Sequence, residues 1–248
     1  MRLRASGLSV RYGTRRAVDG VDLEAAPGEV LAILGANGSG KSTLLRAFAG
    51  LLPCQGELRW DEATRPPVTR IGYLPQDNAA RPVLTGFEVV LLGRLRTLAL
   101  RPSPADLAGA AAALEEVGAG AFATRRIGQL SGGQRQLVLL AQVLAGDPAV
   151  LLLDEPTSAL DIAHQLQVLQ LLRDATRRRG LTSLVVLHDI NAALRFADRV
   201  AVMQAGRLVG TGRPADIARP AVLGEAFNVR VAVDHGSDGH PVVLPLRA

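Results

Sequence analysis

The chain has 248 residues, 48% apolar and 21% charged, enough to bury a sizeable core and too apolar for a disordered segment. One cysteine excludes a disulfide scaffold or a Cys-rich zinc site, no stretch approaches the ~18 apolar residues of a membrane span, and the first residues carry no secretory apolar core. The net charge of +5 comes with scattered basic residues and 3% aromatics, so no nucleic-acid stacking platform is visible.

In chain order, Leu8–Tyr12 reads as a strand before a turn at Gly13, and 18–23 alternates as a half-buried strand. After the turn at Pro27-Gly28, residues 29–34 form a continuous apolar run, the pattern of a strand buried on both faces. It ends in Gly35-Ala36-Asn37-Gly38-Ser39-Gly40-Lys41-Ser42-Thr43, with a helix expected from Lys41. This is G-x-x-x-x-G-K-[ST] in the strand–loop–helix context that the motif needs. Its glycines let backbone amides line a concave anion nest, and the following helix adds its positive end. Lys41 is the only lysine among 28 basic residues, retained where a compact ammonium fits and a planar guanidinium does not. The Ser42 hydroxyl can ligate Mg²⁺.

Residues 79–145 read as an inserted helical segment, with a capped start at Ser103-Pro104-Ala105-Asp106 and a stop at Gly118. Strand–helix alternation resumes after Asp147-Pro148. A buried strand at 149–153 leads into Asp154-Glu155. At the carboxyl end of such a strand, side chains face the ligand crevice. Asp154 would support Mg²⁺, and Glu155 would orient or deprotonate an attacking water. Ile162, Leu166, Leu169 and Leu172 recur at helical spacing, and Arg177-Arg178-Arg179 would complement that helix's C-terminal dipole. A buried strand at 181–187 follows, then a hairpin of 199–204 and 208–210 about Ala205-Gly206. A last pair, 229–233 and 242–246, flanks Asp238-Gly239; His235 and His240 there could catch a metal or merely edge a hairpin. Cys54 reads as an isolated loop thiol, and His164 as solvated or interfacial. The alternation implies an α/β core with a mostly parallel sheet.

These motifs alone say phosphate-loop NTPase. Leu130-Ser131-Gly132-Gly133-Gln134-Arg135-Gln136 narrows the reading. Ser131 caps a helix whose first amides Gly132 and Gly133 leave bare, a second anion site. The heptapeptide resembles the signature of ATP-binding-cassette ATPases, and the resemblance covers essentially the whole chain. It implies a RecA-like P-loop core with an antiparallel β subdomain (residues 1–78 and 146–248) and an inserted α-helical subdomain (79–145). By the same resemblance, Tyr12 stacks on adenine, Gln76 senses Mg²⁺, Asp161 lies in a loop crossing a dimer interface and His188 contacts the γ-phosphate. Ser131, Gly132, Gly133 and Gln134 would then meet the ATP of a second subunit, making an ATP-closed head-to-tail homodimer.

Two classes of work fit such a cassette: driving membrane permeases, or acting as a soluble ATPase on nucleic acid. One cassette in the chain and an insert of ordinary size favour transport, with no nucleic acid expected. Pro156–Gln165, Leu187–Ala193 and Leu84–Arg94 resemble ATPases of ferric-siderophore, haem and cobalamin importers, the siderophore branch most closely. The resemblance implies two integral-membrane permease subunits, a periplasmic or lipoprotein binding protein, and a peripheral place on the cytoplasmic face of the inner membrane.

Overall fold

The computed structural model describes residues 1–64, 68–76, 83–94, 101–158 and 160–246. The chain starts with a hairpin of β1 (Leu3–Tyr12) and β2 (Arg15–Ala25), later joined on β1's free edge by β4 (Gln55–Trp60) to give an antiparallel sheet ordered β2-β1-β4. β1 begins five residues before the apolar alternation announces it. A register shift between Ala5 and Leu8 inverts the alternation there, so Leu3 and Ala5 are buried out of phase with Leu8 and Val10. β4 is absent from the sequence reading: in Gln55–Trp60 only Leu58 and Trp60 are buried, and one glycine interrupts the run.

The main sheet has the order β5-β6-β7-β3-β8-β9. β3 (Val30–Gly35), β5 (Ile71–Leu74), β6 (Val150–Asp154), β7 (Thr182–Val186) and β8 (Arg199–Gln204) run parallel; β9 (Arg207–Gly212) returns antiparallel through Ala205 and Gly206, both at positive φ. β3, β6 and β7 are buried at every position; β3 and β6 read as apolar runs up to their last residue, whereas β7 opens with the buried Thr182 and Ser183, the latter paired with Thr176. Alternate β3 residues serve opposite faces. Leu31 and Ile33 join α1 (Lys41–Phe48) and the antiparallel sheet in one core; Val30, Ala32 and Leu34 join the helices of the other face. β3 sits centrally, with β7 and β8 on its two sides, so the crevice at its carboxyl end is a topological switch point.

Among the described residues, the stretch between β5 and β6 holds the α-helices α2 (Gly86–Leu92), α3 (Pro104–Glu116) and α4 (Gly132–Ala145). Each carries a reciprocal capping box, Thr85–Glu88, Ser103–Asp106 and Ser131–Gln134. Residues 77–82 and 95–100 of this stretch lie outside the described residues. α5 (Ile162–Arg179) is capped by Asp161 and stopped by Gly180 in the left-handed conformation. Its apolar spacing is only half used: Leu169 and Leu172 are buried, whereas Ile162 is 76% and Leu166 44% exposed. The helix outruns the core at its start. The three arginines stand in its last turn, as expected, and Arg178 Nε donates to Asp174 O of the same helix. They also reach neighbours: Arg177 pairs with Asp198, Arg178 and Arg179 with Glu116, and Arg179 donates to Leu144 O at 3.0 Å, capping α4.

The chain finishes with α6 (Ile190–Phe196), α7 (Pro214–Ile217), α8 (Pro220–Phe227) and the hairpin β10 (Val231–His235) with β11 (Pro241–Pro245). His235 sits opposite Pro241, and Asp238 pairs with Arg195; no group of three or more potential His, Cys, Asp or Glu metal ligands occurs among the described residues. Cys54 is exposed just before β4.

Candidate functional site

A cleft of about 590 Å³ opens at the carboxyl ends of β3, β6 and β7. Its floor is the turn from β3 into α1, where Asn37, Gly38, Gly40, Lys41, Ser42 and Thr43 all reach the surface of the cleft. Gly35 and Ser39 form the buried underside of this turn. Gly40 has φ +105, and a Cβ there would lie 2.3 Å from the carbonyl oxygen of Ala17, so only glycine lets β2 lie against the turn.

Lys41 is 5% exposed, and its ammonium donates to Gly35 O at 2.8 Å and Ala36 O at 3.0 Å. Burial pulls its pKa below the ordinary amine value, against the opposing pull of the Glu155 and Asp154 carboxylates. Ser42 Oγ donates to Asp154 Oδ1 at 2.9 Å. Asp154 is 1% exposed, and its second oxygen, Oδ2, is buried with no protein partner. Burial raises its pKa, and Glu155 adds to the rise against the Ser42 hydrogen bond. A buried orphan carboxylate oxygen next to a hydroxyl is a hard-oxygen donor set that suits Mg²⁺, which takes one or two carboxylates and completes its shell with water and phosphate. The residues therefore fit that ion.

Glu155 adopts φ +54, a strained conformation for a glutamate that costs about 1–3 kcal/mol. Its N–H donates to Val186 O, and its side chain is 9% exposed. His188 Nε2 lies 2.5 Å from Glu155 Oε1, and Gln76 Nε2 donates to Oε2 at 2.7 Å. The three groups come from the ends of adjacent strands β5, β6 and β7. Strand order, not sequence proximity, makes them neighbours. Asp189, next to His188, caps α6 through the Ala192 N–H and so fixes the turn that carries the histidine.

Tyr12 and Arg15 stand on either side of the β1–β2 turn at the rim of the cleft, Tyr12 47% exposed. Arg15 was not singled out by sequence; one arginine among 27 carries no signal until a turn places it. The remaining candidates lie elsewhere. Ser131 Oγ accepts the Gln134 N–H at 3.3 Å, and Gln134 Oε1 accepts the Ser131 N–H at 3.2 Å. Neither these two, nor Gly132, Gly133 or Asp161, lines the cleft that holds Lys41. Ser131 and Gly132 are exposed at the start of α4, and Asp161 caps α5. His164 is half-exposed and interfacial: its ring pairs with Asp161 and lies beside Gly133.

Residues 18–158 match the family model described as ABC transporter. The hemin import ATP-binding protein of Myxococcus xanthus is 41% identical, over 99% of this chain and 97% of that protein. The ferric enterobactin transport ATP-binding protein of Escherichia coli K12 is 35% identical, over 99% and 94%. Among solved structures, an ABC transporter described as of metal-chelate type, in an inward-facing conformation, superposes with a TM-score of 0.87 at 29% identity, covering 98% of this chain and 97% of its own.

Proposed function

The chain belongs to the ABC transporter family, as one of its ATPases with the family's α/β P-loop fold, and from that premise we propose that it powers import of an iron complex. The observation that carries the reading is the gathering of Lys41, Ser42, Gln76, Glu155 and His188 on one cleft, with Asp154 bonded behind Ser42. ATP would lie with its phosphates over the amides of 37–43 and its adenine on Tyr12. Lys41 exchanges two neutral carbonyls for the outer phosphates, a charge-assisted contact. Ser42, Asp154 and Gln76 would hold Mg²⁺, which supplies neutralisation of phosphate charge. Glu155 accepts the proton of the attacking water, and His188 and Gln76 hold its carboxylate in place.

Ser131, Gly132, Gly133 and Gln134 have no part in their own chain's cleft, which supports their use in the cleft of a second copy, head to tail. Asp161 would lie at that junction, and exposed Ile162 beside it supports a face that a partner covers. The residues stretching from 79 to 145 would form a subdomain that meets the permease, with 1–78 and 146–248 as the core. No helix among the described residues is long and apolar enough to cross a membrane, so attachment at the cytoplasmic face of the inner membrane would run through two permease subunits fed by a binding protein.

Haem and ferric siderophores are both open as cargo. The higher identity to the hemin relative, 41% against 35%, favours haem over the siderophore branch suggested by the sequence motifs. Two measurements test this. Hydrolysis by the purified chain should rise faster than linearly with protein concentration; full turnover by an isolated monomer refutes the shared-site reading. Cells deleted for this chain should lose uptake of labelled haem or of a labelled ferric siderophore; undiminished uptake of both overturns the iron-complex reading, and ATPase stimulated by nucleic acid instead overturns the transport reading.

A further inference from the structure

α5 holds α4 at both ends. At its last turn Arg179 donates to Leu144 O at 3.0 Å, and its Nε reaches Glu116 Oε1 of α3 at 3.2 Å. At its first turn the imidazole of His164 occupies the space where a Cβ of residue 133 would stand. A Cβ at position 133 would stand 2.2 Å from His164 Cδ2 and 2.5 Å from Cγ, so any larger residue there would push the ring aside. Asp161 fixes that ring: its carboxylate accepts the His164 backbone N–H at 2.9 Å, and both oxygens lie 2.8 Å from Nδ1.

α5 in turn is tied to the loop that leaves Glu155. Ser158 Oγ donates to Glu155 O at 3.0 Å, and Gln165 Nε2 donates to Leu160 O at 3.1 Å and Thr157 O at 3.4 Å. A continuous run of contacts thus joins Glu155 to Gly133 within one chain, although Gly133 does not line the cleft that holds Glu155. We propose that His164 is a positioning residue: its ring sets where the Ser131–Gly133 turn stands and passes displacement of the loop after Glu155 to that turn. The inference rests on the reading above, in which the turn completes a partner's site. His164 touches no reacting atom and acts only through Gly133 and Asp161.

The test uses the full-length chain, with steady-state ATP hydrolysis and binding of a fluorescent ATP analogue to dilute monomer. His164→Ala should lower kcat about tenfold, because a displaced donor turn forfeits part of its transition-state contact, while monomer affinity for the analogue stays within about twofold. His164→Phe keeps a ring on Gly133 and should recover kcat to within about threefold of wild type. His164→Ala with wild-type kcat, or His164→Phe no better than His164→Ala, overturns the inference. So does a parallel loss of analogue affinity or of the fold, which marks a plain packing residue. Glu155→Gln separates the two levels: if it too turns over normally, the proposed function fails; if it alone is slow, only the role of His164 does.

Discussion

Replacing Glu155 with glutamine removes one capability and leaves the geometry. The wild-type carboxylate accepts from Gln76 Nε2 at 2.7 Å through Oε2 and meets His188 Nε2 at 2.5 Å through Oε1. In Glu155→Gln the amide oxygen can still accept from Gln76. Its NH₂ then faces His188 Nε2, which becomes an acceptor when the imidazole proton resides on Nδ1. Both contacts survive, the side-chain volume is nearly unchanged, and the strained backbone at φ +54 sees no new demand. Stability should therefore stay within about 0.5 kcal/mol of wild type. A neutral amide cannot take the proton of the attacking water. General-base catalysis contributes about 10²–10⁴-fold, so kcat should fall by at least about 10², some 2.7 kcal/mol in the barrier. Nucleotide affinity, carried by the turn at 37–43, should hold, and ATP should trap the dimer. Phosphate release under steady state gives the rate, and size-exclusion chromatography with ATP and Mg²⁺ gives the dimer. Turnover within about threefold of wild type would show that Glu155 is not the base.

Two further outcomes follow from the same cleft. Asp154 has a raised pKa because burial disfavours its charge, so its contribution to stability is complete below the ordinary carboxylate value of 3.8 and is lost as pH rises through the raised value. Asp154→Asn should consequently unfold about 2–4 °C higher than wild type at pH 7 in the presence of a chelator, and should lose the stabilisation that wild type gains from Mg²⁺; a lower melting temperature contradicts the account of the orphan oxygen. Tyr12→Ala should weaken ATP by about 5- to 150-fold, the value of ~1–3 kcal/mol for one base stacked on an aromatic ring, with kcat little changed; an unaltered KM removes Tyr12 from the adenine site.

Local chemistry was legible in the sequence. The caps at Ser103 and Ser131, the glycine stop at Gly118 after α3 and the turn before Lys41 each depend on hydrogen bonds or φ values within about four residues, and such patterns are written contiguously. The buried strands were nearly as plain, because burial on both faces keeps most of their positions apolar, Thr182, Ser183 and Asp154 being the exceptions. β4, α7 and α8 escaped, being too short or too polar to show a period, and a register shift hid the first half of β1. Resemblance, rather than periodicity, supplied Gln76 and His188.

What only the tertiary structure decided is which groups touch. Ser42 meets Asp154 across 112 residues, and Gln76 meets Glu155 across 79, because β5, β6, β7 and β3 lie side by side. The exposure of Ile162, the arginine cap on a neighbouring helix and the imidazole against Gly133 likewise have no trace in local pattern. Contacts of this kind arise when strand pairing and core burial outweigh the entropy of closing long loops, a balance struck over the whole chain and not in any window of it.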